Sequence, residues 1–384
     1  MPLRVAFIGG GSGGHLLPAV AIAEELRCAD AGAHFLFLTS HRTIDQKILA
    51  ASGVNETDFR MMPYAAFSSS RGPFSFIAQL PSVWRSFRLA RNELKAFQPD
   101  VVVGLGAFAS VPGILAASRL GLPVALLEQN CLPGKANRTL ASRARLTVFG
   151  LPVAEERIRN WPSPTKTCGT PVRAGIRLLA KLPVDRVLAR NRILILGGSQ
   201  GSQSVNTIVA NAVCNGQLVP RDWEIVHQTG DAQVASIQAQ YLRHGIIARV
   251  AAFLPDMQAE LAATSIVVSR AGAVTIQELA CAGVPSILIP LSTSAENHQM
   301  VNARMMEQLG AAVVVDEKSL TSGQVFSAAL ERLLNDPDHR QQMAHAARSS
   351  GTPDAAFEIA ELLIDMAAPT ASSNSISRFL PRRR

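Results

Sequence analysis

The 384-residue sequence predicts an α/β protein of two doubly wound parallel-sheet domains facing a cleft, on three observations. Short β-branched or apolar runs alternate with amphipathic helical stretches over Arg4 to Phe149 and again from Arg192, the pattern of a parallel sheet with helices on both faces. Each half opens in the same way, with a strand running into glycines and then a helix: IGGGSGGHLLPAVAIAEEL and LGGSQGSQSVNTIVANAV. A stretch containing Pro152, Pro162, Pro164 and Pro171 interrupts the alternation between them. Open α/β sheets bind ligands outside the carboxyl ends of their strands, so a cleft between two of them has room for two substrates.

In the first half, Arg4 to Ile8, Phe35 to Leu38, Val101 to Val103 and Val124 to Leu127 read as strands. The longest apolar stretch, Val101 to Ala117, is cut by Gly104, Gly106, Pro112 and Gly113 and reads as strand, turn and helix. No stretch reaches the ~18 clean apolar residues that span a bilayer, and the run after Met1 is too soon broken by glycine to read as a signal peptide. In the second half the strands are Ile193 to Leu196, Glu224 to Val226, Ile266 to Val268, Ser286 to Ile289 and Ala312 to Val315. Asp336 before Pro337 reads as an N-cap followed by proline at the first helical position. Asp354 to Met366 reads as an amphipathic helix. The expected division is residues 1–165, 166–350, a helix over 351–367 returning to the first domain, and a disordered basic tail over 368–384.

Hydrophobic residues are 48% and charged residues 17% of the chain, which excludes a disordered protein and a coiled coil. The five cysteines, Cys28, Cys131, Cys168, Cys214 and Cys281, form no close pair and so offer neither a zinc spacing nor a disulfide framework. A reducing compartment fits them. The net charge of +8 is concentrated around Arg71, Arg85, Arg88, Arg91 and Lys95 and in Arg378 and Arg382 to Arg384. An anionic partner is expected. Two tyrosines and three tryptophans leave few platforms for stacking bases, so the expectation is a phosphate-bearing small molecule or anionic lipid and no nucleic acid.

Gly9, Gly11 and Gly14 satisfy G-x-G-x-x-G after a strand, a turn that lets backbone amides approach a diphosphate or that simply connects strand to helix. The acidic residue that binds a ribose in NAD folds is missing, because the second strand runs into Thr39, Ser40, His41 and Arg42; only an NADP reading through Arg42 survives. His15 follows the turn in the first helical turn, where the helix dipole favours a neutral imidazole able to accept a proton. A structural histidine is the alternative. GLGAFASVPG makes a second glycine turn with Ser110 as a candidate N-cap, and LLEQN places Glu128, Gln129 and Asn130 on the same rim. In the second half GGSQG puts Ser199 and Gln200 before a helix, and SRAGAVTIQELACAGVP puts Thr275 and Glu278 on one helix face. Glu278 suits two ribose hydroxyls unless it is only a solvated helix residue. HQMVNA adds polar groups to that rim, and Arg173 in GTPVR suits a diphosphate. No His/Cys ligand spacing, Walker A pattern or G-x-S-x-G elbow occurs, so no metal or other cofactor is expected.

GGGSGGH, GLGAFAS, EQN, GTPVR, GGSQG, FLPDM, SRAGAVTIQELACAGVP and HQMVNA occur in that order over residues 9–303, and the chain thereby closely resembles the MurG family. The resemblance implies the GT-B fold, two Rossmann-like domains, and a peripheral enzyme on the cytoplasmic face of the bacterial cell membrane. It implies inverting transfer of N-acetylglucosamine from UDP-GlcNAc to the 4-hydroxyl of undecaprenyl-diphospho-N-acetylmuramoyl-pentapeptide. Carried over by motif, His15 is the candidate base. Ser12, Gly13 and Gly14 lie where the acceptor diphosphate and the reacting sugar meet and count with the donor contacts Asn130, Arg173, Ser199, Leu254, Ala273, Val274, Thr275, Glu278 and Gln299. Gly11, Gly104, Gly106, Ser110 and Glu128 face the acceptor.

The chain has Leu127 where the family often has His, Phe108 where it often has Tyr, and Ala271 where it often has Ser. A lipid-linked acceptor requires a docking face on an anionic membrane surface, and Phe74, Phe76, Ile77, Leu80 and Trp84 interleave with Arg85 and Arg88 in a pattern that suits one. Two alternatives stand beside this reading: a UDP-GlcNAc 2-epimerase-like isomerase on the same fold, and a membrane-bound scaffold without turnover.

Overall fold

A computed structural model describes residues 1–11, 13–51, 59–62, 73–187, 189–197, 202–216, 218–317 and 323–368 of the chain. Seven strands form the first sheet: β1 (Arg4–Ile8), β2 (His34–Thr39), β3 (Phe59–Met61), β4 (Val101–Gly104), β5 (Val124–Glu128), β6 (Leu146–Phe149) and β7 (Thr165–Thr167). Their order is β3-β2-β1-β4-β5-β6-β7, with every pairing parallel. The second sheet has β8 (Arg192–Leu196), β9 (Glu224–Gln228), β10 (Ala248–Ala251), β11 (Ile266–Ser269), β12 (Ser286–Leu288) and β13 (Ala312–Val314) in the order β10-β9-β8-β11-β12-β13, also parallel. Helices cover both faces, so the central strands are apolar throughout; Val5 to Ile8 and Val101 to Val103 are fully buried.

This topology places the motifs. Strand order reverses between β1 and β4 and between β8 and β11, and at such switch points the loops leaving adjacent strands diverge to opposite faces and open a crevice. Ile8 pairs with Gly104 and Leu196 with Ser269, so both glycine turns of the first half, and GGSQG with SRAGAVT of the second, leave neighbouring strand ends.

Four strands are absent from the sequence reading. β3, β7 and β10 are edge strands of three or four residues, and β7 is Thr-Lys-Thr, too short and polar to show a period. In β6 the buried Thr147 breaks the apolar run; its hydroxyl bonds with Ser163 Oγ at 2.8 Å and accepts Trp161 Nε1–H at 3.0 Å. Because β7 joins the first sheet, that domain runs through Thr167 and the expected boundary at 165 falls inside a strand.

The helix Ala355–Ala367 buries Ile359, Ala360, Leu362 and Leu363 in the same cluster as Val5, Phe7, Leu16 and Leu26 of the first domain. Arg177 braces the return, meeting Glu25 at 2.6 Å and Asp354 at 2.8 Å. Asp336 caps the helix Pro337–Ser350 by accepting the His339 N–H at 2.9 Å. Among the described residues no helix is long and apolar enough to cross a membrane. The basic tail over 369–384 lies outside the described residues.

Candidate functional site

On the first rim, Gly9, Gly10 and Gly11 follow β1 with φ of +138°, +146° and +94°, values that side chains other than glycine rarely adopt. The helix Gly13–Ala29 starts next, and its first amides have no acceptor within the helix. The third residue of that helix is His15. Its Nδ1 lies 2.8 Å from the Leu105 carbonyl, which accepts only, so Nδ1 carries the proton and Nε2 keeps a free lone pair. Burial lowers its pKa, while Glu128, the Leu105 carbonyl and Asp45 raise it and His298 lowers it further; the net direction is down. The imidazole is therefore neutral at neutral pH. Gly106, at φ +83°, passes so close that a Cβ there would stand 3.4 Å from His15 Cε1.

Glu128 ends β5, is nearly buried, and turns into its own loop. Oε1 accepts the Asn130 N–H at 3.1 Å and Asn130 Nδ2–H at 3.2 Å, while Oε2 accepts the Gly134 N–H at 2.8 Å and Asn137 Nδ2–H at 2.9 Å. Four donors occupy it, which makes it an organiser of the rim. Ser110 is fully buried and its hydroxyl donates to the Ala107 carbonyl at 2.9 Å, so the side-chain N-cap bond expected from sequence does not form. Gly104 is closed in by Leu126 and Ile114 and contributes backbone alone.

On the second rim the helix Ala273–Ala282 starts from Gly272, which is extended (φ −70°, ψ 141°) and has no capping side chain. Its first amides therefore remain open to an anion. Ala273 and Val274 bury their side chains and can offer only these amides, while Thr275 is half-buried. Glu278 is 8% exposed, and Arg173 binds its Oε1 through Nε at 3.0 Å and Nη2 at 2.9 Å. Burial raises the Glu278 pKa and Arg173 opposes the rise. Gln299 Oε1 accepts the Leu291 N–H at 2.9 Å and holds the turn after β12. Leu254 lies in the core with Leu194, Val226 and Ala271, while its neighbour Phe253 is exposed. Ser12 and Ser199 lie outside the described residues.

Several residues at or beneath these rims were not singled out from the sequence. Asn302, buried on the helix His298–Gln308, crosses the cleft: its Oδ1 accepts the Cys131 N–H and its Nδ2 donates to Asn130 Oδ1, both at 3.0 Å. Asn302 thereby orients Asn130 from the opposite domain. Arg138 and Glu296 bridge the same gap at 2.5 Å. Arg270 Nη2 donates to Ser202 at 2.6 Å, Ser204 at 2.9 Å and Glu317 at 2.6 Å. Against a burial that would raise it, bonds from Arg270, Ser204 and Ser292 hold the Glu317 carboxyl down at about 2. Beside Gly197, Asn206 Nδ2 donates to the Thr229 carbonyl, so its Oδ1 accepts from His227 Nε2–H at 3.2 Å and His227 Nδ1 accepts from the Tyr241 hydroxyl at 3.0 Å. A polar side chain at i+4 from His298 on a helix with an otherwise apolar inner face was the one signal for Asn302. The other partners meet from distant segments and left none.

On the helix Pro73–Phe97, Trp84 is 59% and Leu80 48% exposed, beside exposed Arg85 and Arg88. The side chains of Phe74, Phe76 and Ile77, and Arg71 itself, lie outside the described residues.

Two parallel α/β domains, each with a helix start at its switch point, and a nearly buried carboxylate beside the second, define the GT-B class of sugar-nucleotide enzymes. Residues 5–148 match the glycosyltransferase family 28 N-terminal domain and residues 192–359 its C-terminal domain. A curated protein of Coxiella burnetii, "UDP-N-acetylglucosamine--N-acetylmuramyl-(pentapeptide) pyrophosphoryl-undecaprenol N-acetylglucosamine transferase", is 36% identical over 92% of this chain and 95% of its own. The Sorangium cellulosum protein of that name is 35% identical over 95% and 89%. The crystal structure of Acinetobacter baumannii MurG superposes with a TM-score of 0.76 at 26% identity, covering 95% of this chain and all of that one. The chain belongs to the MurG family of these transferases. A UDP-N-acetylglucosamine 2-epimerase superposes with a TM-score of 0.63 at 16% identity over 95% of this chain and 97% of its own, which shows a shared fold alone.

Proposed function

We propose that this protein transfers N-acetylglucosamine from UDP-GlcNAc to the 4-hydroxyl of undecaprenyl-diphospho-N-acetylmuramoyl-pentapeptide, with inversion, at the cytoplasmic face of the cell membrane. The observation that carries the reading is His15: a neutral imidazole with a free Nε2, set between two glycine turns and facing the second domain across the cleft. In this mechanism Nε2 takes the proton of the attacking hydroxyl as it reaches the anomeric carbon from the face opposite UDP. The amides at the start of the helix Ala273–Ala282 and Arg173 receive the charge that develops on the departing diphosphate. Glu278 takes the ribose through the oxygen that Arg173 leaves. Asn130, oriented by Asn302 and Glu128, meets the donor sugar.

The reading assigns leaving-group stabilisation to protein groups, so labelled transfer to the lipid-linked acceptor is expected to persist in EDTA. UDP-GlcNAc binding without any lipid-linked product would remove the transferase reading; conversion to the 2-epimer would put an isomerase in its place. The exposed Trp84, Leu80, Arg85 and Arg88 support docking on an anionic leaflet, where each basic side chain contributes ~1 kcal/mol. An Arg85→Gln/Arg88→Gln variant is expected to bind phosphatidylglycerol-containing vesicles roughly 30-fold more weakly, as two such contributions imply. Unchanged flotation with these vesicles would place the docking face elsewhere.

A further inference from the structure

Asp45 is a fully buried carboxylate that no step of the mechanism above uses. It stands in the first turn of the helix Thr43–Ala51 and reaches back under the glycine turn that follows β1. The Gly11 N–H donates to both of its oxygens, at 3.0 and 2.8 Å, and the Ser40 hydroxyl donates to Oδ2 at 2.6 Å. From the same β2-to-helix connection, Arg42 Nη1 donates to the Gly11 carbonyl at 2.7 Å. The two peptide groups of Gly11 are thus gripped, one by an anion and the other by a cation. The grip leaves no room for a side chain at Gly10, where a Cβ would stand 2.6 Å from Asp45 Oδ2.

An anion beneath a turn that faces an anionic ligand is unfavourable by itself, since like charges repel strongly away from water. Its presence therefore calls for a gain elsewhere. Three successive glycines at positive φ have wide conformational freedom, and a turn that must present its shape to a diphosphate loses affinity whenever it leaves that shape. The carboxylate removes this freedom by taking the Gly11 N–H. The exposed Arg42 head offsets the carboxylate's charge at the rim. The following helix, which carries His15, starts two residues beyond Gly11.

We propose that Asp45, with Ser40 and Arg42, is a positioning group for the acceptor: it holds the Gly11 peptide so that the glycine turn and the helix start present a fixed cradle to the acceptor diphosphate. This rests on the assignment of the first-domain rim to the acceptor. The donor's diphosphate and ribose are assigned to the other domain, at the helix Ala273–Ala282, Arg173 and Glu278, so UDP-GlcNAc binding separates the effect of the clamp from a general loss of structure.

The test measures steady-state transfer by the full chain with each substrate varied in turn, and UDP-GlcNAc binding by calorimetry, for the wild type, Asp45→Ala, Asp45→Asn, Ser40→Ala and Arg42→Ala. Expected is a fall in kcat/KM for the lipid-diphosphate acceptor of roughly 30-fold in Asp45→Ala, as for lost hydrogen bonds to a charged group. Asp45→Asn, which keeps the shape and one acceptor oxygen, recovers part of this, and Ser40→Ala and Arg42→Ala show smaller losses. The Kd and KM for UDP-GlcNAc stay within about twofold of the wild type, a split that a merely structural role does not produce. If Asp45→Ala does not fold, the other three variants carry the same comparison. Acceptor parameters unchanged in the folded variants, or donor and acceptor parameters falling together, overturn the proposal. A wild type that makes no lipid-linked product overturns the transferase reading instead.

Discussion

Replacing Glu278 with alanine is expected to raise the KM for UDP-GlcNAc roughly 30- to 100-fold while leaving kcat nearly unchanged. The carboxylate lies 8% exposed at the rim of the second sheet, with Arg173 fixing Oε1 from the connection between the domains. A ribose hydroxyl bound to the one oxygen that Arg173 leaves, on a charged and nearly buried acceptor, is worth about 1.5–3 kcal/mol. Ribose does not change during the reaction, so the contact is equally strong in ground and transition states and its loss appears in KM. Glu278→Gln keeps shape and one acceptor and is expected to lose less. Because burial raises its pKa, the carboxyl takes up a proton at a higher pH than an ordinary glutamate. The donor KM of the wild type is therefore expected to climb on the acid side before the usual carboxylate range is reached, and Glu278→Gln is expected to show no such climb. Steady-state kinetics with varied UDP-GlcNAc decide the matter; an unchanged KM in the alanine variant removes Glu278 from the donor site.

The second large effect is expected in kcat. His15→Ala is expected to lower it by about 10²- to 10⁴-fold, the range for loss of a general base, with UDP-GlcNAc binding intact. The pH dependence carries the sign: a base works unprotonated, and burial lowers the His15 pKa from 6.5, so the acid limb of the wild-type kcat/KM profile for the acceptor should fall below pH 6.5. Activity is retained above that limb and lost as pH drops through it. Glu128, whose two oxygens already accept four donors, is poorly placed to substitute. A loss under tenfold in His15→Ala, or an acid limb that survives the substitution, assigns the proton to another group.

Much of the fold and part of the site could be read from the residues in order. Buried strands such as Val101 to Val103 announce themselves because two covered faces demand apolar side chains at every position. β7 and β10, at sheet edges, carry no such demand and stayed invisible, as did β6, whose buried Thr147 is satisfied by Ser163 and Trp161 from a later loop. The glycine turns, His15, Glu128 and Arg173 stood out because each sits beside a strand end or helix start, and Glu278 because it shares a helix face with Thr275; both are local relations. What each does there was not local. Glu128 proved to be filled by its own loop, Ser110 turned its hydroxyl inward, and Leu254 went into the core.

The two-domain parallel architecture, the position of both glycine turns and the family are legible along the chain, because strand burial, glycine turns and helix starts are written in short stretches of residues. Packing in three dimensions selects which nitrogen of His15 is free, which oxygen of Glu278 Arg173 leaves available, how Asn302 holds Asn130 across the cleft, and that Asp45 grips Gly11. Those are hydrogen-bond pairings between residues 34 to 172 positions apart. Such partners are chosen by geometry, distance and angle after folding, and nothing in the local pattern of a chain encodes them.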